Sequence, residues 1–316
     1  MPEPHRPGQE HFVADLAETP LAEVDKLDES TPPLSLWADA WHHLRRRPIF
    51  IISVLLIVLV LALAIAPGLF SHTDPKYCDL NHGLDPSAPG HPFGYDRQGC
   101  DVYARVVYGA RASVTVGFFT TVIVVFLGAA IGAIAGFYGR IWDSLLSRVT
   151  DIFFAIPLVL AAIVVMQVFR DRVTIWSVIL VLSVFGWPQI ARITRGAVMA
   201  VKNADYVTAA KALGTTKFRT LLRHVLPNAA APVIVVATVS LGIFIVTEAT
   251  LSFLGIGLNS AKIPSWGADI SHAAQSLRTN PAVLFYPATF LALTVLSFIM
   301  LGDAVRDALD PKARQQ

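Results

Sequence analysis

The sequence has little charge for its length. Only 15% of its 316 residues are Asp, Glu, Lys or Arg, against about 25% in a typical soluble domain. Hydrophobic residues make up 54%, and they collect in blocks about as long as a helix needs to cross the ~30 Å hydrocarbon core of a bilayer. This composition argues against one or two soluble domains and predicts an integral membrane protein.

Regular alternation of polar and apolar residues is absent from these blocks, which argues against a transmembrane β-barrel. The blocks must then be helical, because hydrocarbon offers no partner for unpaired backbone groups. We predict an all-α membrane protein with about six transmembrane helices, at residues 49–70, 112–138, 152–169, 173–191, 229–254 and 284–301. Pro157 and Pro188 are expected to kink their helices. The short break at Asp171-Arg172 leaves an odd number of spans open.

Motifs for catalysis are also missing. No segment matches the Gly-x-x-x-x-Gly-Lys-Ser/Thr phosphate-binding loop, and no nucleophile–base arrangement stands out. The two cysteines, Cys78 and Cys100, together with His72, His82 and His91 do not form the tight ligand spacing of a zinc site. We therefore expect no enzymatic activity, no metal and no cofactor in this chain, and no nucleic-acid partner.

The first 33 residues differ from the rest. They contain eight acidic residues, two basic residues and six prolines, without hydrophobic periodicity. Such a segment cannot bury enough apolar surface to offset its chain entropy, so residues 1–36 are predicted to be a disordered cytoplasmic tail. The first apolar block begins only at residue 49 and is not followed by a small-residue cleavage site. It is expected to remain as an anchor and not to be removed as a signal peptide.

Basic residues predict the orientation. Three arginines at 45–47 directly precede the first block, and Lys and Arg concentrate on cytoplasmic segments. With six spans, the segments assigned to the inside carry 17 of the 25 basic residues and those outside carry 8. Both termini are therefore predicted to be cytoplasmic, in the inner membrane of the cell.

Connections long enough to be functional follow the first, fourth and fifth blocks. We divide the chain into the acidic tail (1–36), a flank with the first helix (37–70), an extracytoplasmic loop (71–110), a core domain (111–305) and a cytoplasmic C-terminal tail (306–316). The core contains the inner loop 192–228 and a further outer loop at 255–283.

The inner loop has two short amphipathic patterns. Tyr206, Ala210 and Leu213 recur at i, i+4 and i+7, which predicts one face of a short helix ending at Gly214. A second apolar set at 218–225 predicts another short helix, ended by Pro227 before the fifth span. On pattern alone, two interfacial helices lying on the inner leaflet explain the loop equally well.

The stretch 205–214 (DYVTAAKALG) followed by 224–228 (HVLPN) resembles the "Glu-Ala-Ala … Gly … Leu-Pro" loop in permease subunits of binding-protein-dependent ABC importers with the type I fold. In that family the short helix docks into a groove of a cytoplasmic ATPase and carries its motion to the membrane helices. The resemblance assigns this coupling role to Asp205, Tyr206, Ala209, Ala210, Leu213, Gly214 and Pro227.

Within that loop, the resemblance implies that Ala209, Ala210 and Gly214 dock, with Tyr206 and Leu213 packed beneath them. Thr208 stands where the family usually has Glu, which weakens one charged contact with the ATPase. The small-residue surface and the glycine turn are retained.

Other segments are similar to the C-type permease of dipeptide, oligopeptide and nickel importers, over roughly residues 37–312. They are 91–111 (HPFGYDRQGCDVYARVVYGAR), 251–257 (LSFLGIG), 264–267 (PSWG) and 301–311 (LGDAVRDALDP). One departure is Cys100, which replaces the Arg that usually precedes Asp101.

The resemblance implies a transport subunit that forms half of a translocation pathway for di- or oligopeptides. Its partners would be a second homologous permease, one or two P-loop ATPases that bind ATP and Mg, an extracytoplasmic solute-binding protein and membrane lipid. Nickel or another small solute is the alternative substrate. A self-sufficient secondary transporter or channel, or a scaffold, are alternatives of another class.

Several residues keep more than one interpretation. Cys78 and Cys100 share an outer loop, where either a disulfide or two free thiols would fit. Glu248 lies well inside the fifth block, and it either lines the pathway or bonds to backbone near the outer end of its helix. Glycines at 128, 132 and 136 allow close helix approach, either within the bundle or to a partner permease.

Overall fold

The computed structural model describes residues 41–309, apart from 43 and 169–172. The acidic tail 1–36, the Asp171-Arg172 break and most of the C-terminal tail lie outside the described residues, so these predictions remain predictions. Helices account for most of the described chain. They are α1 Pro48–Ile65, α2 Val102–Tyr138, α3 Arg140–Ala155, α4 Leu158–Val168, α5 Ile175–Gly186, α6 Pro188–Val201, α7 Asp205–Ala212, α8 Lys217–Thr220, α9 Leu226–Phe253, α10 Trp266–Ala274 and α11 Ala282–Leu309.

Four helices are long and apolar enough to cross a membrane: α1, α2, the continuous helix Lys217–Phe253, and α11. The other two predicted spans are bent pairs. α3 and α4 meet at 79°, and α5 and α6 meet at 44°. The breaks fall next to Pro157 and Pro188, where a proline removes a helical hydrogen bond and its ring crowds the preceding turn. Counting each pair as one span gives the predicted six.

Several helix boundaries differ from the prediction. The second span was expected to begin at residue 112, but α2 begins at Val102. Asp101 explains the earlier start, because its carboxylate accepts hydrogen bonds from the backbone N–H groups of Tyr103 (2.8 Å) and Ala104 (3.2 Å). Hydrophobicity reports only the part of this helix that faces lipid or the core, and the capped turns at its start carry polar residues.

The prediction that Pro227 ends a short helix before the fifth span is wrong. α8 continues through a π-helical turn, Leu221–Val225, into α9, and Pro227 lies in the first turn of α9. The backbone N–H of Leu226 bonds to the carbonyl of Leu221 in that wider turn. A π turn just before a proline accommodates the missing N–H without a break. The short helix α8 and the fifth span α9 are therefore continuous.

α2 lies at the centre of the bundle and packs on α6 through the glycines at 128, 132 and 136. A Cβ at Gly128 would lie 2.7 Å from Ile190 Cβ, and one at Gly132 would lie 2.3 Å from the carbonyl oxygen of Ala191. The glycines therefore serve packing within this chain, which decides between the two interpretations left open by the sequence.

Replacing Gly132 by alanine is expected to destabilise the protein by about 1–3 kcal/mol, because the new methyl group meets backbone and α2 and α6 must separate. The measurement is the thermal unfolding of the purified chain in detergent. Gly196→Ala is the matched control, since no atom lies within 4 Å of a Cβ there. Equal unfolding temperatures for the two variants would contradict the close packing.

Candidate functional site

α7 is a short helix that ends as the sequence pattern predicted. Gly214 follows it with φ of 83°, a left-handed conformation that glycine adopts without a Cβ clash. The backbone N–H of Gly214 bonds to the carbonyl of Lys211 (3.0 Å), and the N–H of Thr215 bonds to that of Ala210 (3.2 Å). These bonds satisfy carbonyls at the end of the helix and reverse the chain toward α8.

The buried face of α7 differs from the predicted one. Tyr206 and Leu213 were expected to pack beneath a docking surface, but their side chains are 46% and 87% exposed. Val207 and Ala210 are buried instead, so Ala210 faces the bundle and is not free to dock, whereas Ala209 is exposed. The i, i+4, i+7 spacing identified a helix, but Val207 with Ala210 at i and i+3 forms its buried stripe.

An exposed apolar surface surrounds the end of α7. Phe218 is 65% exposed and Leu222 is 49% exposed, in addition to Tyr206 and Leu213. We call these four residues the α7 surface. Asp205 is exposed in the first turn of the helix, where a negative charge is favourable. Isolated exposed apolar residues are common, but several close along the chain beside basic residues are typical of a binding surface.

The α7 surface lies over a buried hydrophobic cluster. One buried cluster joins α7 to α2, α6, the π turn and α9; its members are Ala133, Val198, Val207, Leu221, Val225 and Ala229. The ammonium group of Lys202 donates to the carbonyl of Gly136 (2.8 Å), and Lys211 donates to the carbonyl of Lys202 (3.2 Å). These contacts anchor α7 to α2, α6 and α9.

Two ion pairs join α3 to α6 toward the same end of the bundle. Arg195 donates to both carboxylate oxygens of Asp143 (2.5 and 2.9 Å), and Arg192 donates to Asp151 (2.7 Å). A cavity of about 370 Å³ lies beside these pairs. The sequence gives no sign of these pairs, because charges near the end of a span look like ordinary interfacial residues.

The opposite end of the bundle, where α2 begins and α9 ends, holds the first long loop. Cys78 and Cys100 are bonded to each other there, with an S–S distance of 1.99 Å. The Cys100 side chain is fully buried next to the Asp101 cap of α2, and Asp101 also pairs with His91 (2.7 Å). The bond therefore ties the loop to the start of α2. We call this the disulfide end.

Replacing both Cys78 and Cys100 by serine is expected to destabilise the folded loop by about 3 kcal/mol, since the bond closes a loop across a sequence separation of 22. Limited proteolysis between residues 78 and 100, with and without a reductant, measures this. Wild-type protein should be cut faster only when reduced, and the variant should be cut at the fast rate in both conditions. A variant as resistant as oxidised wild type would show that the bond has no structural role.

Glu248 is fully buried near the disulfide end of α9. Its carboxylate accepts hydrogen bonds from the hydroxyls of Ser113 on α2 (2.8 Å) and Ser252 on its own helix (2.7 Å). One sequence interpretation had the Glu248 carboxylate bonded to backbone groups. That interpretation is incorrect, because its partners are serine hydroxyls. A buried carboxylate needs such donors, and here they link α2 to α9.

A second buried polar group lies beside Glu248. The guanidinium of Arg105 on α2 bonds to Asp269 on α10, with an Nε–Oδ1 distance of 2.9 Å, and to the hydroxyl of Ser260. It also donates to the carbonyl of Pro75 (3.3 Å). Neither Arg105 nor Asp269 was predicted from the sequence to be a site residue. Arg105 lies within the 91–111 motif segment, which has several other charges, and Asp269 follows the 264–267 segment.

The PSWG segment positions α10 against this group. Ser265 caps the helix, and the indole Nε1 of the buried Trp266 donates to the carbonyl of Val106 (2.9 Å). Gly267 lies directly on α9, where a Cβ would be 2.3 Å from the carbonyl oxygen of Ala249. Only glycine permits this approach, which brings Asp269 beside Arg105.

The chain is similar to known membrane transport proteins over most of its length. Residues 128–315 match the family described as "Binding-protein-dependent transport system inner membrane component". Residues 35–89 match the "N-terminal TM domain of oligopeptide transport permease C".

Curated relatives cover nearly the whole chain. The oligopeptide transport system permease protein OppC of Bacillus subtilis is 36% identical over 286 residues, covering 90% of this chain and 93% of that protein. The dipeptide transport system permease protein DppC of Alkalihalophilus pseudofirmus is 35% identical, with 94% and 96% covered. The glutathione transport system permease protein GsiD of Escherichia coli is also 35% identical, with 93% and 95% covered.

The solved structures agree on the fold. A chain of the MetNI methionine ABC transporter, in an inward-facing conformation, superimposes with a TM-score of 0.54 at 19% sequence identity. The match covers 65% of this chain and 96% of that one, and it confirms the predicted permease fold. Together with its apolar helices, the family match over residues 128–315 shows that this chain belongs to the binding-protein-dependent transport system inner membrane components, as a multi-pass protein of the inner membrane.

Proposed function

We propose that this chain is the permease subunit of an ATP-driven importer of di- or oligopeptides and forms half of the translocation pathway. Relatives named for oligopeptide, dipeptide and glutathione transport support a peptide substrate, since glutathione is itself a short peptide. The other half would come from a second homologous permease. A solute-binding protein would deliver the substrate from the far side of the membrane.

The α7 surface is the observation that carries this proposal. Apolar side chains left uncovered at the end of a membrane bundle favour a partner that buries them, and a supported short helix suits a groove in a soluble partner. We assign one or two P-loop ATPases as that partner, with ATP and Mg bound to them. The present chain lacks a phosphate-binding loop and would not hydrolyse ATP alone.

The same assignment gives the orientation. The α7 end would face the cytoplasm together with both termini, consistent with the basic residues of the inner segments. The disulfide end would then face an oxidising compartment, where such a bond persists. Closure of the ATPases on ATP would move α7, and the cluster beneath it would carry the motion to α2, α6 and α9.

Copurification tests this proposal. The chain carries a C-terminal affinity tag, is extracted in mild detergent and is analysed for proteins present in stoichiometric amounts. We expect a second multi-span permease and at least one P-loop ATPase. The complex, reconstituted with its binding protein, should then take up radiolabelled peptide only with ATP. Recovery of the chain alone under several mild conditions would favour a self-sufficient transporter, and uptake of nickel but not peptide would change the substrate.

A further inference from the structure

A cavity of about 720 Å³ opens at the disulfide end. Its walls are the first long loop, the end of α4, the segment that follows α9, and α10. Sites for small ligands have volumes of about 300–1,000 Å³, so this cavity is large enough for the end of a peptide. Polar and apolar residues line it in similar numbers, unlike the apolar grooves that receive helices.

The charge of the lining has one sign. Lys76, Lys262 and Arg105 line the cavity, whereas no Asp or Glu does among the described residues. Arg105 is neutralised by Asp269. Lys76 and Lys262 form no ion pair within the described part of the chain, and both are exposed. Two lysines without an ion-pair partner among the described residues therefore line one concave space, which favours an anion.

Two buried serine hydroxyls lie at the floor of the cavity. Ser252 and Ser260 are buried there, and their hydroxyls are already engaged. Ser252 donates to Glu248 (2.7 Å) and accepts from the backbone N–H of Leu258 (3.0 Å), while Ser260 donates to Asp269 (3.1 Å). Because these hydroxyls are already engaged, recognition of a ligand falls to the lysines at the wall.

We propose that this cavity is a subsite for the C-terminal carboxylate of the transported peptide, which pairs with Lys76 and Lys262. The inference rests on the proposed peptide-import function and adds a substrate contact in the permease itself. Every peptide with a free C-terminus presents a carboxylate, so the subsite works for any sequence. An acidic residue of the binding protein is the other possible source of a carboxylate, but a concave cavity suits a chain end better than a protein surface.

Lysine acetylation in the complete reconstituted transporter tests the contact. The complex is treated with an acetylating reagent in the presence of binding protein that is empty or loaded with a short peptide, and modification is quantified by mass spectrometry. Peptide should protect Lys76 and Lys262 by about five-fold or more, without protecting Lys217 at the α7 end. Equal protection by empty and loaded binding protein would assign the lysines to protein docking and overturn the inference.

Uptake kinetics give a second readout. The double variant Lys76→Gln/Lys262→Gln should raise KM for a free-acid peptide by about five- to ten-fold and leave KM for the C-terminally amidated peptide unchanged. Arg97→Gln/Arg278→Gln, at exposed positions of the same end that do not line the cavity, is the matched control.

The outcomes separate the two proposals. Unchanged KM for the free acid, or an equal rise for both peptides, overturns the subsite while peptide import stands. If wild-type transporter takes up no peptide at all, the proposed function fails and the subsite with it. If the wild-type transporter takes up the free-acid peptide but not the amidated one, the uptake comparison cannot be made. Protection of Lys76 and Lys262 from acetylation then decides whether the subsite exists, because that test needs no amidated peptide.

Discussion

Replacing Leu213 by aspartate is expected to lower ATP-dependent peptide uptake by at least about ten-fold without loss of folded protein. Leu213 is 87% exposed at the end of α7, so the bundle does not depend on it. In a complex it would enter an apolar groove of the ATPase, and burying an unpaired carboxylate there costs several kcal/mol. The measurement is uptake into proteoliposomes together with the amount of ATPase that copurifies.

Leu80→Asp is the control for this prediction. Leu80 is 80% exposed and lies in the loop at the disulfide end, so it receives the same change without touching the ATPase. It should retain normal amounts of bound ATPase. Normal uptake and normal ATPase association in Leu213→Asp would mean that α7 is not the coupling element. Normal uptake with no ATPase present in either protein would favour a self-sufficient transporter.

Replacing Asp269 by alanine is expected to destabilise the protein by about 3–5 kcal/mol. Asp269 and Arg105 each expose only 8% of their side chains, so the change leaves a guanidinium buried without its counter-ion. The packing of α10 on α2 and α9 should loosen with it. Thermal unfolding of the purified chain measures the effect, and faster proteolysis at residues 255–281 should accompany it.

Two comparisons isolate the cause. Asp151→Ala also removes an acidic partner of an arginine, but the side chains of Arg192 and Asp151 are 45% and 51% exposed, so it should cost no more than about 1 kcal/mol. Arg105→Met/Asp269→Leu removes both charges and should recover most of the loss. If Asp269→Ala unfolds no earlier than Asp151→Ala, the buried pair does not stabilise the end of the bundle.

The local sequence pattern predicted that α7 is a helix but not which of its sides is buried. Helical periodicity and a terminal glycine predicted the helix and its left-handed end, because both depend on residues close in sequence. The choice between Tyr206 and Val207 for the buried side depended on where α2, α6 and α9 lie. Those helices are distant in sequence. A short helix with apolar residues on more than one side could bury either side against them.

For the buried charges, too, the sequence revealed an unusual residue but not its partners. Glu248 was recognised as unusual because an acid in an apolar block is visible in the sequence. Its partner Ser113 is 135 residues away, and serines are too common to suggest a pair. Arg105 and Asp269, separated by 164 residues, gave no local sign that they meet.

The sequence by itself determined the class of protein, about six candidate membrane spans with breaks at two prolines, and the family through its motifs, because each of these depends on composition or short-range order. Only the tertiary structure decided which face of α7 is exposed, that Pro227 continues a helix, that the glycines of α2 pack within the chain, and that two lysines face one cavity. These features arise where distant segments meet, and the free energy of burial there depends on both surfaces at once.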